Sequence, residues 1–201
     1  NERLLFYGDP QGEYDLRCEI AKYARETRNC VCSEENIVIG AGVQTLLNIL
    51  CPLIKNKKSV CFDDLSYRQG TAIFNDYGFK VNNNRETSNI IYVSPSYSTR
   101  WGDVMSVKER FDLTEFARAN NKLIIEDDYG SEFRYFNRPT PSLQGLNGGE
   151  NIVYLGTFSK LLLPSIRISF MILPPNLTDK YKQKKDVYNQ TVSKADQIAL
   201  C

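Results

Sequence analysis

Leu123-Ile124-Ile125-Glu126-Asp127-Asp128-Tyr129 is a short apolar run that ends in three consecutive acids. A run of this length with polar ends reads as a buried strand, here Leu123 to Asp127. Burying a charge costs several kcal/mol unless it is paired, so acids at this position need partners. The carboxyl ends of strands are also where open α/β sheets place their ligands. A carboxylate there suits a protonated ring nitrogen, and the Tyr129 hydroxyl suits a phenolate oxygen. A solvated loop after the strand is the competing reading of this stretch alone.

Working outward, apolar runs alternate with helical patterns, which predicts an α/β domain with a largely parallel sheet covered by helices. Upstream, residues 14–28 read as a helix after the turn Tyr7-Gly8-Asp9-Pro10-Gln11-Gly12, and Asn36 to Gly40 as a buried strand. Val43, Leu46, Leu47, Leu50, Leu53 and Ile54 share one helical face. Val60 to Phe62 reads as a strand, and 67–77 as a helix with Ala72, Ile73 and Tyr77 inward. Strands are also expected at Phe79–Val81 and Asn89–Ser94. The link between these two is too short for an ordinary parallel crossover, so they pair as a hairpin or residues are missing from 82–88. Residues 107–120 read as a helix, Ile152–Leu155 and Ile168–Leu173 as strands, and a polar helical pattern runs from Leu177 to the end without a cap.

With 25 basic against 24 acidic side chains, net charge +1, the segment has no overall basic field to hold DNA by itself. No apolar run approaches the roughly 20 residues of a membrane span, and Asn1 does not begin a secretion signal. The six cysteines form no C-x-x-C pair and there is no histidine, so no zinc framework is expected and the thiols read as reduced. Ser-His and Cys-His catalysis are excluded within the segment. Acid–base chemistry here rests on lysine, tyrosine or carboxylates.

Three more stretches complete a pattern. Gly40-Ala41-Gly42-Val43-Gln44 lies at a strand-to-helix junction, where free amides can hold a phosphate. Gly156-Thr157-Phe158-Ser159-Lys160 follows a strand and sets a lysine beside hydroxyls, where it can form an imine. Arg167 interrupts the apolar run Ile166-Arg167-Ile168, and an arginine inside a buried strand needs an anion such as phosphate. The first two have bland alternatives, a structural glycine turn and a surface lysine. Together they supply what pyridoxal 5′-phosphate (PLP) requires: a phosphate cradle, a ring-nitrogen acid, a phenolate donor and an imine lysine.

These residues resemble the fold-type-I PLP-dependent aminotransferases, and more narrowly the aminotransferase-like domain of MocR-type regulators of the GntR superfamily. The resemblance is carried by residues 7–12, by Ile124 to Tyr135 with its Glu126-Asp127-Asp128-Tyr129 and Glu132-Phe133-Arg134-Tyr135 blocks, and by residues 156–169. It implies the large PLP-binding domain of that fold, a mostly parallel mixed sheet flanked by helices, over residues 1–201. The small domain and an N-terminal winged helix are expected outside this chain. It also implies an aldimine on Lys160, with Ser159 beside it, Asp127 at the pyridine nitrogen and Tyr129 at the phenolic oxygen. Phosphate would be held by Thr157, Arg167 and the Gly42-Val43-Gln44 turn, with Tyr67 stacked on the ring. Where the family shows Pro-Ser-His-Gln-aromatic-Pro-x-Gly, this chain has Pro95-Ser96-Tyr97-Ser98-Thr99-Arg100-Trp101-Gly102.

The resemblance favours a PLP-binding effector domain of a cytoplasmic, homodimeric transcriptional regulator. DNA contact would fall to the winged helix, and an amine or amino acid would act as effector. The alternative is a working aminotransferase acting on an amino acid or amine.

Overall fold

The computed structural model describes residues 2–96, 104–129, 140–158 and 165–201. One sheet organises them. Its strands are β1 (Ile37–Gly40), β2 (Ser59–Phe62), β3 (Lys80–Asn82), β4 (Ile90–Val93), β5 (Leu123–Asp127), β6 (Ile152–Thr157) and β7 (Ser169–Ile172), in spatial order β1-β7-β6-β5-β4-β2-β3. Strands β2 to β6 pair in parallel, while β7 runs antiparallel to both β6 and β1. All strands but β7 therefore point the same way. Their carboxyl ends, at Gly40, Phe62, Val93, Asp127 and Thr157, share one edge of the sheet.

The helices are α1 (Tyr14–Arg28), α2 (Val43–Leu53), α3 (Arg68–Asp76), α4 (Val107–Ala119), α5 (Leu143–Leu146), α6 (Pro175–Lys182) and α7 (Lys194–Ala199). They cover both faces. On one, Leu46, Leu50, Phe74 and Leu177 from α2, α3 and α6 pack on Val60, Phe62, Tyr92 and Ile125. On the other, Leu16 and Ile20 of α1 meet Ile37 and Phe170, while Leu113 and Leu143 meet Ile91 and Ile124. Coverage on both sides explains why the strands read as unbroken apolar runs with no polar alternation.

The expected strands and the first, second and fourth helices appear within a few residues of the sequence reading. Four readings are corrected. Phe79–Val81 and Asn89–Ser94 do not pair as a hairpin: β3 and β4 flank β2, each parallel to it. The connection can be short because the strands are. Asn82 is level with Cys61 and Ile90 with Val60, so the chain steps back about one residue while moving sideways about 10 Å. Arg85 of this link grips Asp63 just beyond β2, with Nε donating to Oδ1 at 2.9 Å.

In α3 the inward residues are Gly70 and Phe74, whereas Ala72 and Tyr77 are exposed and Ile73 is half-buried. The Tyr67 ring lies against Gly70, and Phe74 meets Phe62 and Phe79 edge-on, so this stripe faces the sheet. Arg167 is not inside a strand. Its φ of 51° is left-handed, which breaks the extended repeat, so β7 begins only at Ser169. The pattern after Leu177 is not one continuous helix but two, with the Ser193 side chain capping the start of the second.

Two of the three acids at the end of β5 are structural. Asp128 is buried against Arg28 of α1, with Nε–Oδ2 at 2.6 Å; it also accepts from Ser96 at 2.5 Å and Tyr154 at 2.6 Å. Arg28 in turn donates to the Thr140 carbonyl at 2.8 Å. Glu126 accepts from the Leu143 and Gln144 amides at 2.9 and 3.0 Å, holding the start of α5, and lies 3.9 Å from buried Arg110. These pairs join α1, α4, α5 and the ends of β4, β5 and β6. We expect Arg28→Met, which strands the Asp128 charge, to cost about 3–5 kcal/mol in urea denaturation. Removing the exposed Arg118–Glu115 pair should leave the midpoint nearly unmoved.

Candidate functional site

A cavity of about 450 Å³ opens at the carboxyl edge of the sheet, a size that suits a small cofactor or metabolite. Strand alternation determines which acid reaches it. Side chains on β5 point to opposite faces in turn, so Glu126 and Asp128 go to the face of α1, α4 and α5. Asp127 emerges on the other, into the cavity.

Asp127 accepts from the Tyr92 hydroxyl, Oη to Oδ2 at 2.6 Å. Its Oδ1 has no hydrogen-bond partner among the described residues. Burial pushes the carboxyl up to about 6; the Tyr92 bond works against that rise and the Asp128 charge adds to it. With no cation against it among the described residues, this carboxylate is a ready acceptor for a positively charged N–H donor.

The opposite wall has the reverse character. α2 starts at Val43 with Gly42 as its cap residue and no side chain capping it. The amides of Val43 and Gln44 therefore lack intrahelical partners and face the cavity with the positive end of the helix dipole. Gly42 has φ 93°, and a Cβ there would collide with the Arg167 guanidinium. The positive φ favours glycine, and the missing Cβ lets the guanidinium lie close to the backbone. Arg167 lines the cavity and has no carboxylate partner among the described residues. Thr157 closes this side, its Oγ1 2.9 Å from the Ser169 hydroxyl. Amides, a guanidinium and hydroxyls converging in this way make an anion site.

The side walls are aromatic. Tyr67 precedes α3 and packs on Tyr92, centroids 5.8 Å apart; Tyr92 stacks on Phe62 at 4.6 Å. Burial, and then the Asp127 charge, push the Tyr67 hydroxyl up to about 12, so it stays protonated. Tyr129 lines the cavity and is 44% exposed, accessible to a ligand.

Of the residues singled out from sequence, the fold brings together Gly42, Val43, Gln44, Tyr67, Asp127, Tyr129, Thr157 and Arg167. Ser159 and Lys160 lie outside the described residues, as do Tyr97 to Gly102. Tyr92, Phe62, Ser94 and Ser169 were not anticipated at the cavity. For Tyr92 a signal exists: it is a hydroxyl-bearing residue near the carboxyl end of a fully buried strand. Among the described residues there is no cluster able to hold a metal and no helix long and apolar enough to cross a membrane. None of the six cysteines is in a disulfide; burial pushes Cys51 up to about 12, so it stays an inert thiol.

Residues 1–199 match the family described as aminotransferase class I and II. The chain is 40% identical over 206 residues to the uncharacterized HTH-type transcriptional regulator YdeL of Bacillus subtilis, covering 96% of this chain and 44% of that protein. It is 30% identical over 197 residues to the probable rhizopine catabolism regulatory protein MocR of Rhizobium meliloti, covering 91% and 40%. It thus spans under half the length of these relatives. Among solved structures, the Pyrococcus horikoshii kynurenine aminotransferase in complex with PMP superposes with a TM-score of 0.84 at 23% identity, over 98% of this chain and 54% of that one. At that identity the likeness speaks for the fold.

The raised Asp127 carboxyl has a measurable sign. Below its unfolded value of 3.8 it is protonated in both states and contributes nothing. Above about 6 it is ionised in both, and its burial costs stability. Relative to Asp127→Asn, the ligand-free protein should gain on the order of 2 kcal/mol as pH falls from 7 to 4, read from paired denaturation curves.

Proposed function

Because the chain belongs to the aminotransferase class I and II family, we propose that it is the PLP-binding effector domain of a MocR-type transcriptional regulator, with the cofactor held at Lys160. One observation carries the cofactor assignment: the cavity is dipolar. A carboxylate oxygen of Asp127 with no partner among the described residues stands on one wall, and Arg167 with the α2 amides stands on the other. PLP has the matching polarity, a protonatable ring nitrogen at one end and a phosphate at the other. The Gly42 turn, which carries no side chain, leaves that phosphate its approach.

When bound, PLP supplies an electrophilic carbon that captures amines and a pyridinium ring that draws electrons from the captured group. The chain supplies the rest. Asp127 holds a proton on the ring nitrogen, and Tyr129 donates to the phenolic oxygen. Val43, Gln44, Thr157, Ser159 and Arg167 neutralise the phosphate, and Tyr67 covers the ring. Lys160 is the attachment point and, in its free form, the base.

The regulator reading draws support from the relatives at 40% and 30% identity, both named as regulators. The near-neutral charge agrees with it, since DNA contact then belongs to a winged helix elsewhere in the polypeptide. In this reading the protein is a cytoplasmic homodimer whose DNA affinity responds to PLP, alone or with an amine or amino acid, through unequal affinity for two conformations. The family match favours a second reading, an aminotransferase acting on an amino acid or amine.

The intact protein should be incubated with PLP, reduced with borohydride and mapped by mass spectrometry. We expect pyridoxyl label confined to the peptide carrying Lys160 and absent from Lys160→Ala; label missing or scattered over surface lysines would overturn the site. In parallel, PLP should change operator-DNA affinity by about fivefold or more in the wild type and not in Lys160→Ala. Conversion of bound PLP to its amine form by amino acids, with no effect on DNA binding, would select the aminotransferase.

A further inference from the structure

Asp127 is anchored by a side chain that the cofactor reading does not use. Tyr92 lies on β4, one strand over from β5, with its hydroxyl 2.6 Å from Asp127 Oδ2. Its ring is clamped: Phe62 stacks on it at 4.6 Å and 20°, Tyr67 leans on it at 5.8 Å, and Phe74 meets it edge-on at 6.4 Å. The ring is buried and held on three sides, so its hydroxyl oxygen is fixed beside the carboxylate. Burial and the Asp127 charge raise the Tyr92 hydroxyl well above its ordinary value, so it remains a donor throughout the working pH range.

We propose that Tyr92 is the positioning residue of this site: its immobilised hydroxyl occupies Oδ2 of Asp127 and leaves Oδ1 as the one acceptor offered to a ligand N–H. The inference rests on the reading of the cavity as a PLP site and deepens it by assigning the residue that makes the site selective for a protonated ring nitrogen. A carboxylate free to rotate could satisfy itself with water or a neighbouring hydroxyl. Pinned on one side, it presents a single lone-pair-bearing edge to the cavity. The bond also favours the charged acceptor over the neutral acid, opposing the burial that would otherwise neutralise Asp127.

Other groups around Asp127 do not replace this contact. Tyr67 shares the aromatic wall and feels the Asp127 charge. Asp128, next along the strand, points to the other face and pushes Asp127 toward the neutral form. Asp63, Asp64 and Arg167 line the cavity beyond β2 and before β7, and Asp63 is committed to Arg85.

The test compares Tyr92→Phe with the wild type in the full-length protein, because that change removes one oxygen and keeps the ring. Asp127 is titrated in the ligand-free protein by carboxyl-carbon NMR. We expect Tyr92→Phe to move its midpoint upward by about one unit. Incorporating 3,5-difluorotyrosine at position 92, a stronger donor of nearly the same shape, should move it downward and serves if Tyr92→Phe does not fold. Affinities for PLP and for its 1-deaza analogue, which lacks the ring nitrogen, are then measured. The wild-type preference for PLP should shrink by about tenfold in Tyr92→Phe. Unchanged midpoints in both variants, or an unchanged preference, would reduce Tyr92 to a core aromatic. The cofactor reading is judged separately, by whether the wild type binds PLP at Lys160.

Discussion

A five-residue strand carries a carboxylate at each of its last two positions and another immediately after it, in a sheet covered by helices on both faces. Each charge must be met where it emerges, and strand alternation sends them to different places. Asp128 finds Arg28, Ser96 and Tyr154; Glu126 finds two amides of α5 and the neighbouring Arg110. Both draw loops from either side onto the sheet edge. Asp127, on the opposite face, finds one hydroxyl and then open space. The same constraint therefore builds the wall of the cavity and leaves its reactive group incompletely satisfied.

The cavity takes its polarity from two unrelated devices. At one end a carboxylate is kept partly out of water, which makes a cationic partner valuable. At the other, helix amides and a guanidinium accumulate positive potential with no carboxylate nearby among the described residues. Neither device is strong alone: an exposed arginine is ordinarily worth little, and an uncapped helix start is readily hydrated. Facing each other across an aromatic slot, they select for a molecule carrying both signs of charge at fixed separation.

Much of this was legible from residues. Seven apolar runs, each bounded by polar or turn-forming residues, located the strands, and Asp127, Arg167 and the Gly42 turn were marked by unusual chemistry for their positions. What failed had physical causes. The hairpin expectation assumed strands of ordinary length, and β3 has three residues, so a short link can pass beyond the end of β2. The inward face of α3 was misread because apolar size was weighed without the sheet, where Gly70 and Phe74 fit against Tyr67 and Phe62. Arg167 read as strand because a left-handed residue has no signature in side-chain polarity. Tyr92 was passed over, although a hydroxyl near the end of a buried strand is a signal, because its role depends on a neighbour 35 positions away that strand pairing brings alongside.

The pairing of β1 with β7 bears on how the chain is made. Ile37 lies opposite Ile172, so the apolar segment Ile37–Gly40, buried in the finished sheet, meets its strand partner among the described residues only after residue 172 has been made. At the usual 5–20 residues per second, a delay of about 135 residues amounts to roughly 7 to 27 seconds. During that interval a sticky edge trails from the ribosome with α1 and α2 as its only early cover. The edge strand of this sheet is thus completed only after the five strands β2 to β6 have been made.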